Sequence, residues 1–193
     1  TETFESMVET SFGSAPITVS PDMDTGLTLK YSNPKEIGSD RIVNAAAAYE
    51  KFHRDLIIVD FGTATTFCAV NRDGEYLGGV IAPGLTISAE ALFTRAAKLS
   101  KVELARPKTV IGTDTASSIQ SGLIFGYAGL VDTLVQRMEM EMGRTSYVIA
   151  TGGLASVIAP EARSIQHLEP FLTLHGLELL YRRARGASLT QWV

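Results

Sequence analysis

The stretch Leu56-Ile57-Ile58-Val59-Asp60-Phe61-Gly62-Thr63-Ala64-Thr65-Thr66 decides the architecture of this chain. Its first four residues are apolar and mostly β-branched, with no polar alternation, which is typical of a strand buried on both faces of a sheet. An acidic residue, a glycine and several hydroxyls then follow at the turn. The stretch therefore predicts a central strand whose carboxyl end carries polar groups.

Strands and helices are predicted on both sides of this stretch. Two more strands follow it, at 67–70 and 76–81, joined by the tight turn Asp73-Gly74. Hairpin strands followed by alternating helices and strands indicate an α/β layer fold. The remaining predicted strands are 16–19, 27–31, 108–112 and 146–150. Four main helices are predicted: the first begins near 38–40, the second spans 88–99, the third runs from the caps at 113–115 to 142, and the fourth spans 172–185.

Composition narrows the classes of partner and compartment. The net charge of −4, with no long basic run, does not favour nucleic acid as a partner. The single cysteine, Cys68, excludes an internal disulfide and suits a reducing compartment, so we expect a cytoplasmic protein. No apolar run reaches the roughly 18 residues of a membrane span, so no membrane association is expected. His53, His167 and His175 have no spacing that indicates a shared metal site, and exposed or capping roles are expected for them.

The turn after Asp60 has the groups that a phosphate-binding loop needs. Gly62 lets the backbone approach an anion, Thr63 and the hydroxyls of Thr65 and Thr66 can donate hydrogen bonds, and Asp60 can hold a cation or its waters. The alternative is a turn that these polar groups merely satisfy. A second glycine turn, 151–153, follows the strand at 146–150, and its alternative is a plain tight turn.

Several segments in one order resemble type III pantothenate kinases, which belong to the actin-like (ribonuclease H-like), sugar-kinase-like ATPase fold. The resemblance implies an α/β fold with its second domain, 54–185, complete. Residues 1–53 would be a remnant of the first domain that carries the substrate and base motif, and 186–193 a tail. The matching segments are 25–27, 31 with 33–34, 38–44, 59–67, 78–84, 120–122 and 150–154.

The resemblance assigns pantothenate to residues near the start of the second helix. Asp40 would be the general base that takes the proton from the primary hydroxyl of pantothenate, and its alternative role is a helix N-cap. Gly38, Ser39 and Arg41 would frame the substrate, with Arg41 pairing with the carboxylate. Otherwise Arg41 would be a solvated charge on the first turn.

Two further residues complete the implied pantothenate site. Tyr31 would close the pocket, the alternative being half-buried packing at a strand end. Thr115 would contact the substrate, the alternative being a helix N-cap that it could satisfy at the same time.

The resemblance places the nucleotide and its cations at the two glycine turns. Asp60 would be the ligand of a monovalent cation, K⁺ or NH₄⁺, while Thr63 with Gly62, Gly152 and Gly153 would contact ATP. Mg²⁺ would accompany the nucleotide, bound chiefly by phosphates and water. Cys68 stands where the family more often has an acidic residue, which puts in question any support of Asp60 from that position.

The implied activity is ATP-dependent phosphorylation of pantothenate, the first step of coenzyme A biosynthesis, by a homodimer. The family also has an amino-terminal phosphate loop of the type Asp-x-Gly-Asn-Thr, which residues 1–30 do not contain, and the chain does not begin with Met. We therefore expect that an amino-terminal part is missing and that this chain alone is a poor kinase. The alternatives are a non-catalytic accessory protein of the same fold and a kinase of another small hydroxyl compound.

Overall fold

The computed structural model describes residues 2–95 and 101–186. A 3₁₀ turn at Pro34–Glu36 precedes the second helix. The elements in chain order are α1 (Glu2–Phe12), β1 (Thr28–Leu29), α2 (Ser39–Phe52), β2 (Leu56–Phe61), β3 (Ala64–Val70), β4 (Glu75–Pro83), α3 (Leu85–Arg95), α4 (Thr115–Met142), β5 (Tyr147–Thr151), α5 (Ala155–Ile158), β6 (His167–Leu168) and α6 (Leu172–Ala184).

One mixed sheet organises the described residues, with its strands in the order β1-β4-β3-β2-β5-β6. β2, β3 and β4 form an antiparallel meander, and β5 joins the other side of β2 in parallel. β6 extends the sheet in parallel beyond β5. This meander followed by parallel strands is the arrangement expected for the actin-like, ribonuclease H-like fold, so the predicted α/β class is confirmed.

The central strand is buried on both faces because helices cover both sides of the sheet. Ile57 and Val59 face a core that includes side chains of α4, whereas Leu56 and Ile58 face a core that includes side chains of α2. Alternate residues of a strand point to opposite faces, so a continuous apolar run is required here. Residues 56–59 are all apolar because each of them faces one of these two cores.

α6 lies against α2 at very short range. A Cβ on Gly176 would lie 2.4 Å from the carbonyl oxygen of Val43, so only glycine permits this approach of the two helices. Leu179 and Leu180, one turn later on α6, pack with Val43 and Ala46 of α2. The carboxyl-terminal helix is thereby held in a defined position against the helix that begins at Ser39.

Two predicted strands are wrong. Residues 16–19 have no regular secondary structure and belong to no strand of the sheet. Residues 108–111 form bends, with Val110 and Ile111 exposed. In the second segment Thr109 donates to the carbonyl of Ile111, and Ser121 donates to the carbonyl of Val110. Side-chain hydroxyls thus satisfy carbonyl groups that backbone N–H groups would satisfy in a sheet. Short β-favouring runs form strands only where a sheet edge is available to them.

The other helix and strand predictions hold within a few residues. The last part of the predicted helix 88–99, beyond Arg95, and the predicted tail after Gly186 lie outside the described residues. The division near residue 53 falls in the turn between α2 and β2, where His53 has a left-handed backbone and its N–H caps α2. The assignment of two domains stays a prediction.

α4 is the longest described helix and begins with a capping box. The side chain of Asp114 accepts from the backbone of Ser117, and Ser117 reciprocates. By length and composition alone α4 could cross a membrane, a test that core helices of soluble proteins also pass. Its buried side chains, among them Leu123, Ile124 and Val131, pack on the sheet as those of a core helix do.

Candidate active site

Three turns meet at the carboxyl edge of the sheet. β2 and β5 are parallel, and their register places Asp60 beside Thr151. The turns after these strands, at Gly62 and Gly152, therefore lie side by side. The amino-terminal part of α2 joins them, because Asn44 in its second turn donates from Nδ2 to Oδ2 of Asp60 at 2.9 Å. Polar groups from three distant parts of the sequence thus occupy one end of the fold.

The carboxylate of Asp60 is closely confined. A Cβ on Gly152 would lie 2.5 Å from Oδ1 of Asp60, and Gly152 has a φ of 94°, so two constraints favour glycine there. Burial raises the pKa of Asp60 above its ordinary value, and the charge of Asp40 adds to this, while the bond from Asn44 opposes it. Asp40 and Asp60 therefore lie within electrostatic reach of each other, as a shared site requires.

Asp40 is an exposed residue in the first turn of α2. Gly38 is the N-cap, and Oδ1 of Asp40 accepts from the backbone N–H of Arg41 at 2.9 Å. The alternative role of Asp40 as N-cap is therefore wrong. Gly38 and Ser39 are exposed beside it, and a Cβ on Gly38 would come within 2.5 Å of the Asp40 carboxylate. An exposed carboxylate on a rigid helix start can accept a proton from a bound molecule.

Arg41 is buried rather than solvated. Its side chain is 5% exposed, and its guanidinium lies over the rings of Tyr31 and Tyr76, 5.9 and 5.8 Å from their centroids. Nε donates to Sγ of Cys68 at 3.5 Å, whereas Nη2 has no hydrogen-bond partner. The alternative of a solvated first-turn charge is wrong.

The charge of Arg41 is not neutralised by its surroundings. Burial raises the pKa of the Cys68 thiol, although Tyr76 and Arg41 oppose this, so the thiol is uncharged at neutral pH. Among the described residues no carboxylate lies within ion-pair distance of the guanidinium. A buried cation with an unpartnered N–H fits an anionic group of a ligand.

The glycine turn after Asp60 is open on one side only. Gly62 and Thr63 are exposed, and a Cβ on Gly84 would lie 2.0 Å from the carbonyl of Thr63, so the end of β4 packs tightly under this turn. Thr65 is fully buried, and its cross-strand partner Phe61 faces the core that α4 covers. The Thr65 hydroxyl has no hydrogen-bond partner among the described residues, and its bond to phosphate stays a prediction.

The structure does not bring Thr115 to this cluster. Asp114 is the N-cap of α4, so the alternative role of Thr115 as N-cap is wrong as well. Thr115 lines an open cavity of about 580 Å³ to which neither α2 nor the ends of β2 and β5 contribute. The hydroxyl of Tyr127 donates to the carbonyl of Pro83, and Thr115 precedes Tyr127 by twelve helical residues. Thr115, at the start of α4, is therefore about 18 Å along the helix axis from the contact between Tyr127 and Pro83.

Two residues of the site were missed by the sequence analysis. Asn44 follows Asp40 by four residues, so the helical spacing was a signal that both lie on one face of α2. Thr173 of α6 donates a hydrogen bond of 2.7 Å to Oδ1 of Asn44. Nothing in the sequence indicated this contact.

The histidines form no metal site with Glu169 although two of them lie near it. His167 and His175 are 3.5 and 3.9 Å from the carboxylate of Glu169. Burial of Glu169 works to raise its pKa, but Lys51 and the two histidines outweigh it and hold the pKa below its ordinary value. Within the described ranges no group of three or more His, Cys, Asp or Glu could hold a metal ion. His53 has the capping role that was expected for it.

Comparison with known proteins identifies close relatives of the chain. The family model described as type III pantothenate kinase matches residues 1–137. Type III pantothenate kinase of Syntrophus aciditrophicus (strain SB) is 56% identical over 179 residues, which cover 93% of this chain and 70% of the relative. That of Geobacter sulfurreducens is 57% identical over 174 residues, 90% of this chain and 68% of the relative.

A solved structure supports the fold independently. A conserved Baf family protein from Campylobacter jejuni superposes with a TM-score of 0.65 at 16% sequence identity, covering 96% of this chain and 80% of that chain. At that identity the likeness concerns the fold alone.

Proposed function

The chain belongs to the type III pantothenate kinase family, and we propose that its site transfers the γ-phosphate of ATP to the primary hydroxyl of pantothenate, giving 4′-phosphopantothenate and ADP. This reaction is the first step of coenzyme A biosynthesis. The observation that carries the proposal is the meeting of an exposed carboxylate, Asp40, with the confined carboxylate of Asp60 at two glycine turns. Phosphoryl transfer depends mainly on positioning and on neutralising phosphate charge, and two carboxylates can serve it by accepting a proton and by holding a cation.

Asp40 is the proposed general base. One of its oxygens accepts the Arg41 N–H, and the other has no hydrogen bond within the described part of the chain. The hydroxyl oxygen of pantothenate bonds to the γ-phosphorus, the bond from that phosphorus to the bridging oxygen of ADP breaks, and the hydroxyl proton passes to Asp40. The rigid start of α2 keeps the acceptor at a constant position during this transfer.

Arg41 is the proposed anchor for the carboxylate at the other end of pantothenate. Its unpartnered Nη2 and uncompensated charge support this role, since an N–H bond to a carboxylate is stronger than one to a neutral group. Tyr31, which lies beside the guanidinium, would close the pocket, and Gly38 and Ser39 would line its open side.

The glycine turns are the proposed ATP site. Gly62 and Thr63 on one side, with Gly152 and Gly153 on the other, leave room for phosphates beside Asp60. Oδ1 of Asp60, which takes no part in the bond from Asn44, fits a monovalent cation, K⁺ or NH₄⁺. Mg²⁺ carried by ATP would neutralise charge on the phosphates, held chiefly by phosphate oxygens and water.

A homodimer is the proposed assembly. Gly122, Gly126 and Gly129 form an exposed strip of small residues on α4, and nothing lies within 4 Å of a Cβ built on any of them. Thr115 lies away from the Asp40 cluster of its own chain, so a second copy could present it to that cluster. Sedimentation at about 20–50 µM tests the assembly, because an interface of standard size holds at such concentrations and a purely monomeric boundary would contradict it.

The chain is that of a soluble enzyme, and we propose the cytoplasm as its compartment. Cys68 is buried and free, which suits a reducing environment.

Formation of 4′-phosphopantothenate by the purified protein tests the proposed activity. ATP, Mg²⁺ and K⁺ are supplied with pantothenate or with pantetheine, which has the hydroxyl but no carboxylate. We expect slow formation of the phosphorylated product, since this chain alone is predicted to be a poor kinase. The kcat/KM should be lower for pantetheine because Arg41 then has no anion to bind. No product from either compound would contradict the kinase assignment, and equal kcat/KM values would contradict the role of Arg41.

A further inference from the structure

Asp60 is connected to the carboxyl-terminal helix through one buried amide. Thr173 of α6 donates to Oδ1 of Asn44 at 2.7 Å, and Nδ2 of Asn44 donates to Oδ2 of Asp60 at 2.9 Å. Asn44 is 2% exposed, so water does not compete freely for either bond. A hydroxyl that follows Asp60 by more than a hundred residues thus contacts the carboxylate's own partner.

The position of Thr173 follows from the packing of α6. Gly176, three residues later, allows α6 to approach the backbone of Val43 so closely that a Cβ would collide with it. Residues three apart on a helix lie on the same face, so the approach at Gly176 also directs Thr173 towards α2. Asn44 directly follows Val43, which explains why the hydroxyl meets this amide.

The Asp60 carboxylate and the Thr173 hydroxyl together fix which way the Asn44 amide faces. An amide has an accepting oxygen and a donating nitrogen of nearly equal size, and a half turn exchanges them. An ionised carboxylate can only accept, so Asp60 takes the nitrogen of the amide. The hydroxyl of Thr173 donates to the remaining oxygen and so holds the amide in this orientation. With the amide reversed, an oxygen would face the carboxylate and the bond would be replaced by repulsion between two acceptors.

We propose that Thr173 is a positioning residue of the phosphoryl-transfer site, acting through Asn44 to hold the Asp60 carboxylate with Oδ2 engaged and Oδ1 turned towards Gly152. This inference rests on the proposed function, in which Asp60 serves the nucleotide side of the site. Thr173 lies beyond residues 1–137, which the family model matches, so α6 adds a contribution that this match does not cover.

The test is a double-mutant cycle on the full chain. Thr173→Val removes the hydroxyl at almost constant volume, Thr173→Ser keeps it, and Asn44→Ala removes the amide through which it acts. We expect Thr173→Val to lower kcat about 5–10-fold, the scale of one net hydrogen bond, with the KM for pantothenate within about twofold of wild type. Thr173→Ser should restore kcat, and Thr133→Val, at an exposed position of α4, is the matched control.

The decisive outcome is the coupling between the two positions. In the Asn44→Ala background Thr173→Val should have no further effect on kcat, because its route to Asp60 is gone. The side-chain amide signals of Asn44 in ¹⁵N–¹H spectra should shift in Thr173→Val and stay unchanged in Thr133→Val. Additive effects on kcat, or unmoved Asn44 signals, would overturn the inference. An inactive wild-type protein would instead count against the proposed function, and the spectra would still decide the positioning.

Discussion

Asp55 and Asp60 stand at opposite ends of strand β2, and their carboxylates have opposite surroundings. Asp55 is 5% exposed and accepts hydrogen bonds from the backbone and guanidinium of Arg72 and from Arg144. Asp60 accepts from the neutral amide of Asn44, and no basic side chain among the described residues lies within ion-pair distance of it. One carboxylate is neutralised and the other is left available.

The pKa shifts follow the same contrast. Burial works to raise the pKa of Asp55, but the hydrogen bonds and charges of Arg72 and Arg144 outweigh it and hold the pKa below its ordinary value. Burial and the charge of Asp40 raise the pKa of Asp60. A carboxylate with protein cations contributes to folding, whereas one without them is held at some cost in stability for a ligand. The comparison therefore separates a structural end of β2 from a functional end.

The largest expected effect is at the functional end, in Asp40→Asn. This substitution keeps the size of the side chain and its contact with the Arg41 N–H but removes the proton acceptor. Turnover should fall by about 10²-fold or more, the usual scale of general-base catalysis, while ATP binding persists. Steady-state kinetics at saturating pantothenate measure this. Near-normal turnover would mean that Asp40 is not the base.

The second largest effect is expected for Asp60→Asn, a substitution that separates loss of activity from loss of stability. Activity should fall by about tenfold or more, since the neutral side chain binds a cation weakly. The free energy of unfolding should be unchanged or higher, because a confined carboxylate without a cationic partner is replaced by an uncharged group. Urea unfolding and kinetics on the same preparation measure both. A clear loss of stability would show that Asp60 is structural and would remove the contrast with Asp55.

The smallest effect is at the structural end, in Asp55→Asn. The free energy of unfolding at pH 7 should fall by about 1–3 kcal/mol because charged hydrogen bonds are lost, with kcat little changed. The folded pKa of Asp55 is depressed, so its contribution is present above the unfolded pKa of about 3.9 and is lost as pH falls through the folded pKa. The difference from wild type should therefore shrink below about pH 4.

Urea unfolding between pH 7 and pH 3 measures this convergence, and Asp22→Asn at an exposed position controls for the change in net charge. A difference that stays constant down to pH 3 would show that the ion pairs of Asp55 are not its source.

Most of the fold could be predicted from local sequence patterns. The unbroken apolar run of β2 and the turn at Asp73-Gly74 mark the meander, and both depend on neighbours in sequence. The two wrong strands, 16–19 and 108–112, had the same local preference but found no sheet edge. Whether an edge is available depends on the whole sheet and is not encoded in a short segment.

The candidate site divides in a similar way. Asp40 and Asp60 could be found because each stands at the start of a helix or the end of a strand, where polar groups gather at a sheet edge. The burial of Arg41 under Tyr31 and Tyr76 could not, since an arginine on a first helical turn is ordinarily solvated.

The sequence by itself determined the strand pattern, the glycine turns and the acidic residues beside them, because these follow from backbone preferences over a few residues. Only the tertiary structure decided which polar groups meet. Thr173 reaches Asn44 because Gly176 lets two helices approach, and Asp60 lacks the cations that Asp55 has because both arginines lie at the other end of β2. Charge and hydrogen-bond partners depend on distances in space, which a linear pattern does not specify.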